Sequence, residues 1–259
     1  MQHNVKSLSG FTIGATDGEI GKVDELFFDD ETWTIRYLVV KTGGWLSGRK
    51  VLLSPLALLR PDWKNRVFPV NLSKEQVKNS PDIDTKQTVS RQHEIELYDH
   101  YSWPYYGAAG AGFYGGMGMA GMIDSRITVK NVIAEQRNEK EPPDPHLRST
   151  DEVRRYHIHA TDGSIGTVED FIINDENWVI NYLIVNTGNW FPGKKIILPP
   201  EWIEQVKWED SSVYVDVSVD AIKHSPKYDP SMPMEEAYKE KLFNYYGRSA
   251  KDNKHDAAS

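Results

Sequence analysis

A tract of this chain is written twice. TDGEIG at residues 16–21 returns as TDGSIG at 161–166, and a shift of 145 aligns the chain with itself, without gaps, from about Leu8 to Asp84. Between Asp29 and Trp45, ten of seventeen positions are identical to Asn174–Trp190, and Ser80-Pro81 still answers Ser225-Pro226 in phase. Gapless agreement of that length is the mark of duplication, so any fold assigned to one copy holds for the other. At 259 residues, two domains of ordinary size fit.

Each copy reads as β structure. Phe11–Gly14 runs into Thr16-Asp17-Gly18, and Asp-Gly between extended segments is a hairpin signal because Gly takes positive φ cheaply. The same holds at Asp162-Gly163, and Gly21 and Gly166 follow each turn as further structural positions. A second strand spans about Ile20–Phe28 and ends at Asp29-Asp30-Glu31-Thr32. TWTIRYLVV then alternates, with Trp33, Ile35 and Tyr37 on one side and Thr34 and Arg36 on the other. From Leu38 the run is apolar on both faces, as in a buried strand. Lys50–Leu53 returns after Thr42-Gly43-Gly44, a shorter pair follows around Leu58-Leu59 and Val67–Val70, and Ser73 with Gln76 forms a capping box that opens a short helix. Six short strands in about 75 residues predict a small barrel or a strongly curled sheet, since closure removes exposed edges.

These residues carry a resemblance. DG-x-IG, the acidic turn before W-x-I-x-Y-L-V-V, TG-x-W-x-x-G-[RK]-K-[VI] and the closing SP resemble the PRC-barrel family, named for the cytoplasmic domain of the photosynthetic reaction-centre H subunit. The resemblance implies a mainly β protein of two tandem small PRC-type barrels, each followed by a helical aromatic segment. It implies a domain plan of 7–84 (first barrel), 85–150 (helix, Gly-rich and Pro-rich linker), 151–230 (second barrel) and 231–259 (C-terminal helix and tail). It also implies a non-catalytic docking module. Two further members of the family supply rivals: a peripheral accessory to a membrane electron-transfer complex, like the H subunit, and a ribosome-maturation factor.

The segments between and after the barrels are aromatic. Leu97, Tyr98 and Tyr101 share one helix face, and Met234, Tyr238, Leu242 and Tyr245 share another. Covering a barrel is the plain role for such a face; gripping a partner is the other. Residues 107–122 hold seven glycines in sixteen positions, and Gly110–Gly115 and Gly116–Gly121 both fit GxGxxG. That motif binds dinucleotides only where a strand turns into a helix, and no helix starts in a run so rich in Gly, so the tract reads as a linker.

No nucleophile elbow, HExxH, P-loop or paired-carboxylate pattern occurs, so no catalytic residue, cofactor or metal ligand is assigned. His157 and His159 lie two apart in a strand, so both rings can share one face as in a metal site, but no carboxylate is fixed nearby by spacing; Asp29, Asp30 and Glu31, echoed by Asp175 and Glu176, crowd a turn and lack the alternating ligands of a calcium loop. With no cysteine, thiol chemistry and disulfides are excluded. A net charge of −8 disfavours phosphate backbones, so nucleic acid is not an expected partner. The N-terminal MQHNVKSLSGFT lacks the apolar core of a secretory signal, and a cytoplasmic location, either free or peripheral to the inner membrane, is the expectation. A homo-oligomer is compatible with the sequence. The candidate partner-binding loops are the hairpin tips Trp45-Leu46 with Arg49 and Lys50, and Trp190-Phe191 with Lys194 and Lys195. Aromatic and cationic residues make good anchors, unless the tryptophans fold back as lids.

Overall fold

The computed structural model describes residues 1–81, 91–103, 146–188, 194–229 and 236–246. The Gly-rich and Pro-rich linker, the Trp190-Phe191 tip and the C-terminal tail of the expected plan lie outside the described residues. In chain order the elements are β1 (Gln2–Asn4), α1 (Val5–Leu8), β2 (Thr12–Ala15), β3 (Gly18–Asp29), β4 (Thr34–Thr42), β5 (Lys50–Leu53), β6 (Val67–Pro69), α2 (Lys74–Lys78) and α3 (Arg91–Tyr101). The second copy supplies β7 (Leu147–Ser149), α4 (Thr150–Val153), β8 (His157–Ala160), β9 (Gly163–Asn174), β10 (Ile180–Asn186), β11 (Lys195–Leu198), β12 (Ile203–Lys207), β13 (Ser212–Val215), α5 (Val219–His224) and α6 (Glu236–Tyr245). The protein is mainly β, with two sheets.

The chain divides into two compact units, and the division does not follow the repeat. One unit takes Ser9–Thr32 and the residues from Arg36 to Arg148; the other takes Met1–Leu8, Trp33–Ile35 and the residues from Ser149 onward. In the first-repeat unit the strand order is β5-β4-β3-β2-β6, with β7 pairing β3 as a sixth strand. The Thr16-Asp17 turn closes the β2–β3 hairpin, with Ala15 paired to Gly18; the register runs back through Ile13↔Gly21 and Thr12↔Lys22, with a bulge before Gly14↔Glu19. β2 also pairs in parallel with β6, Ile13 facing Phe68. Leu58 meets Val70 through an isolated bridge, where the sequence suggested a strand pair.

In the second-repeat unit the order is β11-β10-β9-β8-β13-β12, with β1 pairing β9 as the seventh strand. β8 occupies one stretch of β9, from Gly163 to Thr167, and β1 pairs antiparallel farther along, at Gln2↔Asn174, His3↔Ile173 and Asn4↔Ile172. Thr34 bridges Val179, its own counterpart in the repeat; Ile35 N–H donates to the carbonyl of Trp178 at 2.8 Å, and Ile180 N–H to that of Trp33 at 2.7 Å.

β4 is buried on both faces from Thr34 to Val40. The alternation read from the sequence places Thr34 and Arg36 on a polar side, and the structure buries that side as well. At Arg36, α3 explains it: Leu97, Tyr98 and Tyr101 are buried, and Glu94, 4% exposed, supplies the charge that Arg36 needs, while Thr34 is the residue that bridges Val179. Arg36 contacts Asp29 at 3.1 Å and Glu94 more closely, and the Tyr37 hydroxyl donates to Glu94 at 2.8 Å. Burial works against the guanidinium charge, but Glu94 foremost holds the Arg36 pKa above its ordinary value. α2 begins with the capping box that the sequence encodes: Ser73 Oγ accepts from Gln76 N–H at 3.2 Å, and Gln76 Oε1 accepts from Ser73 N–H at 2.8 Å.

Candidate interaction site

The hairpin tip after β4 turns through a short 3-10 stretch, Gly44–Leu46, and the two side chains singled out there are half-buried. Trp45 Nε1–H donates to the Ile20 carbonyl at 2.7 Å, and Lys74 Nζ lies 4.6 Å from the centre of its ring. Arg49 turns inward and donates to the carbonyls of Lys78 at 3.1 Å and Pro81 at 2.8 Å, and to that of Ser80. The Lys78 carbonyl ends α2, where a cation complements the helix dipole, and the other two lie just past that end. Lys194 does the same at the end of α5, donating to Ile222 at 3.2 Å and Lys223 at 2.6 Å; burial pulls its pKa down. Lys50 contacts Asp24 at 2.8 Å and Glu25 at 3.6 Å, and Lys195 contacts Glu169. Burial lowers the pKa of Lys50, and its two carboxylates outweigh that and raise it. All four cations of the predicted tips therefore have partners inside their own unit, and Trp190 and Phe191 lie outside the described residues.

The turn residues hold more than turns. Asp17 Oδ1 accepts from Lys74 N–H at 2.8 Å and Asp162 Oδ1 from Val219 N–H at 2.7 Å, so each turn carboxylate anchors the first turn of the helix that follows its sheet. Gly18 sits at φ +136, and a Cβ on Gly163 would come within 3.3 Å of Val219 Cγ2. Gly21 and Gly166 are required by close approach: a Cβ there would lie 2.2 Å from the Lys41 carbonyl oxygen and 2.0 Å from that of Asn186.

The acidic turns bind the strands that sequence reasoning missed. In the first-repeat unit Asp30 N–H donates to the His146 carbonyl at 2.8 Å, and the Asp30 carboxylate meets His146 Nδ1 at 2.9 Å and Arg148 Nε at 3.1 Å. Burial raises the pKa of Asp30, opposed by these two partners. In the other unit Asp175 N–H donates to the Met1 carbonyl at 3.0 Å, and the Asp175 carboxylate meets His3 Nε2 at 3.1 Å. Burial lowers the pKa of His3, opposed by Asp175. Residues 146 and 148 are the repeat counterparts of 1 and 3, although the two stretches share no letter in phase, and so an alignment gives no signal. Among the described residues no group of three or more His, Asp or Glu could hold a metal ion. His157 is exposed, and His159 stacks on Tyr214 with ring centres 5.1 Å apart.

The PRC-barrel domain model matches residues 2–77 and 156–222, more than half of the chain. The chain belongs to the PRC-barrel family. It is also similar to a Deinococcus radiodurans protein described as uncharacterised, 34% identical over 65 residues, which is 25% of this chain and 23% of that protein. The aligned part thus spans less than a quarter of that relative's length. No helix among the described residues is long and apolar enough to cross a membrane.

Within this PRC-barrel chain the copies part company at one surface. Leu56 is 41% and Leu59 51% exposed, on the segment that leaves β5. Their repeat counterparts are Glu201 and Glu204, both exposed. All four positions are exposed, and only the first copy places apolar side chains there. A second feature belongs to the other unit: an open pocket of about 290 Å³ bordered by Asn4, Lys6, Ser7, Glu169, Asp170 and Lys195. Asp170 is 5% exposed there and accepts from Lys6 N–H at 3.0 Å; burial raises its pKa, opposed by the backbone N–H groups of Phe171 and Lys6.

Proposed function

We propose that the protein is a non-catalytic docking module whose sheets curl into the small barrels of its family, and that it engages a protein partner through the first copy. The observation that supports this most is the pair Leu56 and Leu59, exposed where the sister copy carries Glu201 and Glu204. Lone apolar residues on a surface need no explanation, but two on one short segment, against two carboxylates in a duplicate of the same fold, mark a difference in what each copy meets. The partner then presents an apolar patch. The cations of the hairpin tips, drawn into helix ends and ion pairs, contribute by holding the surface in shape.

Photo-crosslinking residues placed at 56, 59, 201 and 204 test the reading in living cells. The expected result is a discrete crosslinked species from positions 56 and 59, absent from 201 and 204, and abolished when the neighbouring leucine is changed to Glu. Equal crosslinking from both copies would remove the basis of the proposal.

A further inference from the structure

The N-terminal strand and its counterpart are exchanged. β1 precedes the first copy but completes the sheet of the second, pairing β9; β7 precedes the second copy but completes the sheet of the first, pairing β3. Gln2–Asn4 and Leu147–Ser149 are the same positions of the repeat, so both copies send the same strand away and receive the same strand back. In a protein of one copy, that trade requires two chains. Here it is made within one, and the contacts that make it (backbone register on β9, the Asp175–His3 pair, the buried side chains of Val5 at 2% and Leu8 at 0% exposure) are indifferent to which chain provides the strand.

We propose that the β9 edge is a strand-acceptor site for the Met1–Leu8 segment of a second copy of this protein, so that two copies associate by exchanging β1 and α1. The segment is suited to leave. Its strand is three residues long, and its side-chain anchorage is Val5, Leu8 and the His3–Asp175 pair. The chain leaves it for the other unit at Ser9, just before Gly10, whose φ of +81 marks a tight bend rather than a continuous element. Because the same contacts form within and between chains, the balance is set by effective against actual concentration, and exchange rises with protein concentration. This inference stands apart from Leu56 and Leu59 and is unaffected by their role.

The absence of native cysteine permits a clean test. Gln2 faces Asn174 across the antiparallel pair, and opposed Cα atoms at roughly 4.5–5.5 Å suit a disulfide. A tagged chain carrying Gln2→Cys is mixed with an untagged chain carrying Asn174→Cys, under mild oxidation and over a range of concentrations. The expected product is a tagged–untagged disulfide whose yield rises with concentration and exceeds, by about tenfold, that from Gln2→Cys with an exposed control, Glu201→Cys. The double variant, Gln2→Cys with Asn174→Cys in one chain, reports that the strand still docks by closing its bond internally. An internal bond with no mixed product above the control overturns the proposal, as does equal yield from both pairings.

Discussion

Single residues in this protein are legible where backbone geometry dictates them and illegible where a distant segment supplies the partner. Asp17 and Asp162, written as turn residues, lie in turns, and Gly18 and Gly163 open the strands that follow, paired with Ala15 and Ala160. Asp170 carries no such sign: nothing local tells that Lys6, far away in sequence, covers it. Its consequence is a pH dependence with a defined sign. Burial raises its folded pKa above the ordinary value near 3.8, so the folded state prefers the protonated form. The contribution is favourable while the group is protonated and is lost as pH rises through the folded pKa. Asp170→Asn keeps an acceptor for Lys6 N–H and has no proton to lose. Chemical denaturation from about pH 4 to about pH 7 is therefore expected to show the variant gaining stability relative to the native sequence as pH rises. A gap that stays constant or moves the other way contradicts this.

Among elements, the strands follow from hydrophobic pattern and turn residues, and duplication lets each copy check the other. β5 lies where the sequence places it, Lys50–Leu53. Two features escape. The polar side of β4 is buried because α3 brings Glu94 to Arg36 across 58 positions of sequence, a distance over which periodicity carries no information. β1 and β7 are three residues long, too short to display alternation, and their two sequences have diverged completely. The close crossings at Gly21 and Gly166 belong to this scale too, since β3 and β9 each pass against the end of the next strand. Gly21→Ala is expected to cost about 3 kcal/mol, because a methyl group would meet backbone that cannot yield. Gly44→Ala, with open space around the new carbon, is expected within about 0.5 kcal/mol of the native protein. Urea melts of the two variants measure the contrast, and equal losses would refute it.

At the scale of the molecule, the repeat predicts two alike folds, and each copy does form a sheet with the same order of equivalent strands. What the repeat does not announce is that neither sheet is built from its own copy alone. The self-alignment, which begins near Leu8, leaves out β1 and β7 and does not show where they go. The exchanged strands tie the stability of each unit to residues written in the other half of the chain. Leu147, 1% exposed on β7, is the position at which that claim is most exposed to refutation. Hydrogen exchange of Leu147→Glu against the native chain measures it directly. Loss of amide protection over Phe27–Asp29 of β3, in the first copy, with β8 and β9 unchanged, is the predicted result; loss confined to β8 and β9, next to the substitution in sequence, would contradict the exchange.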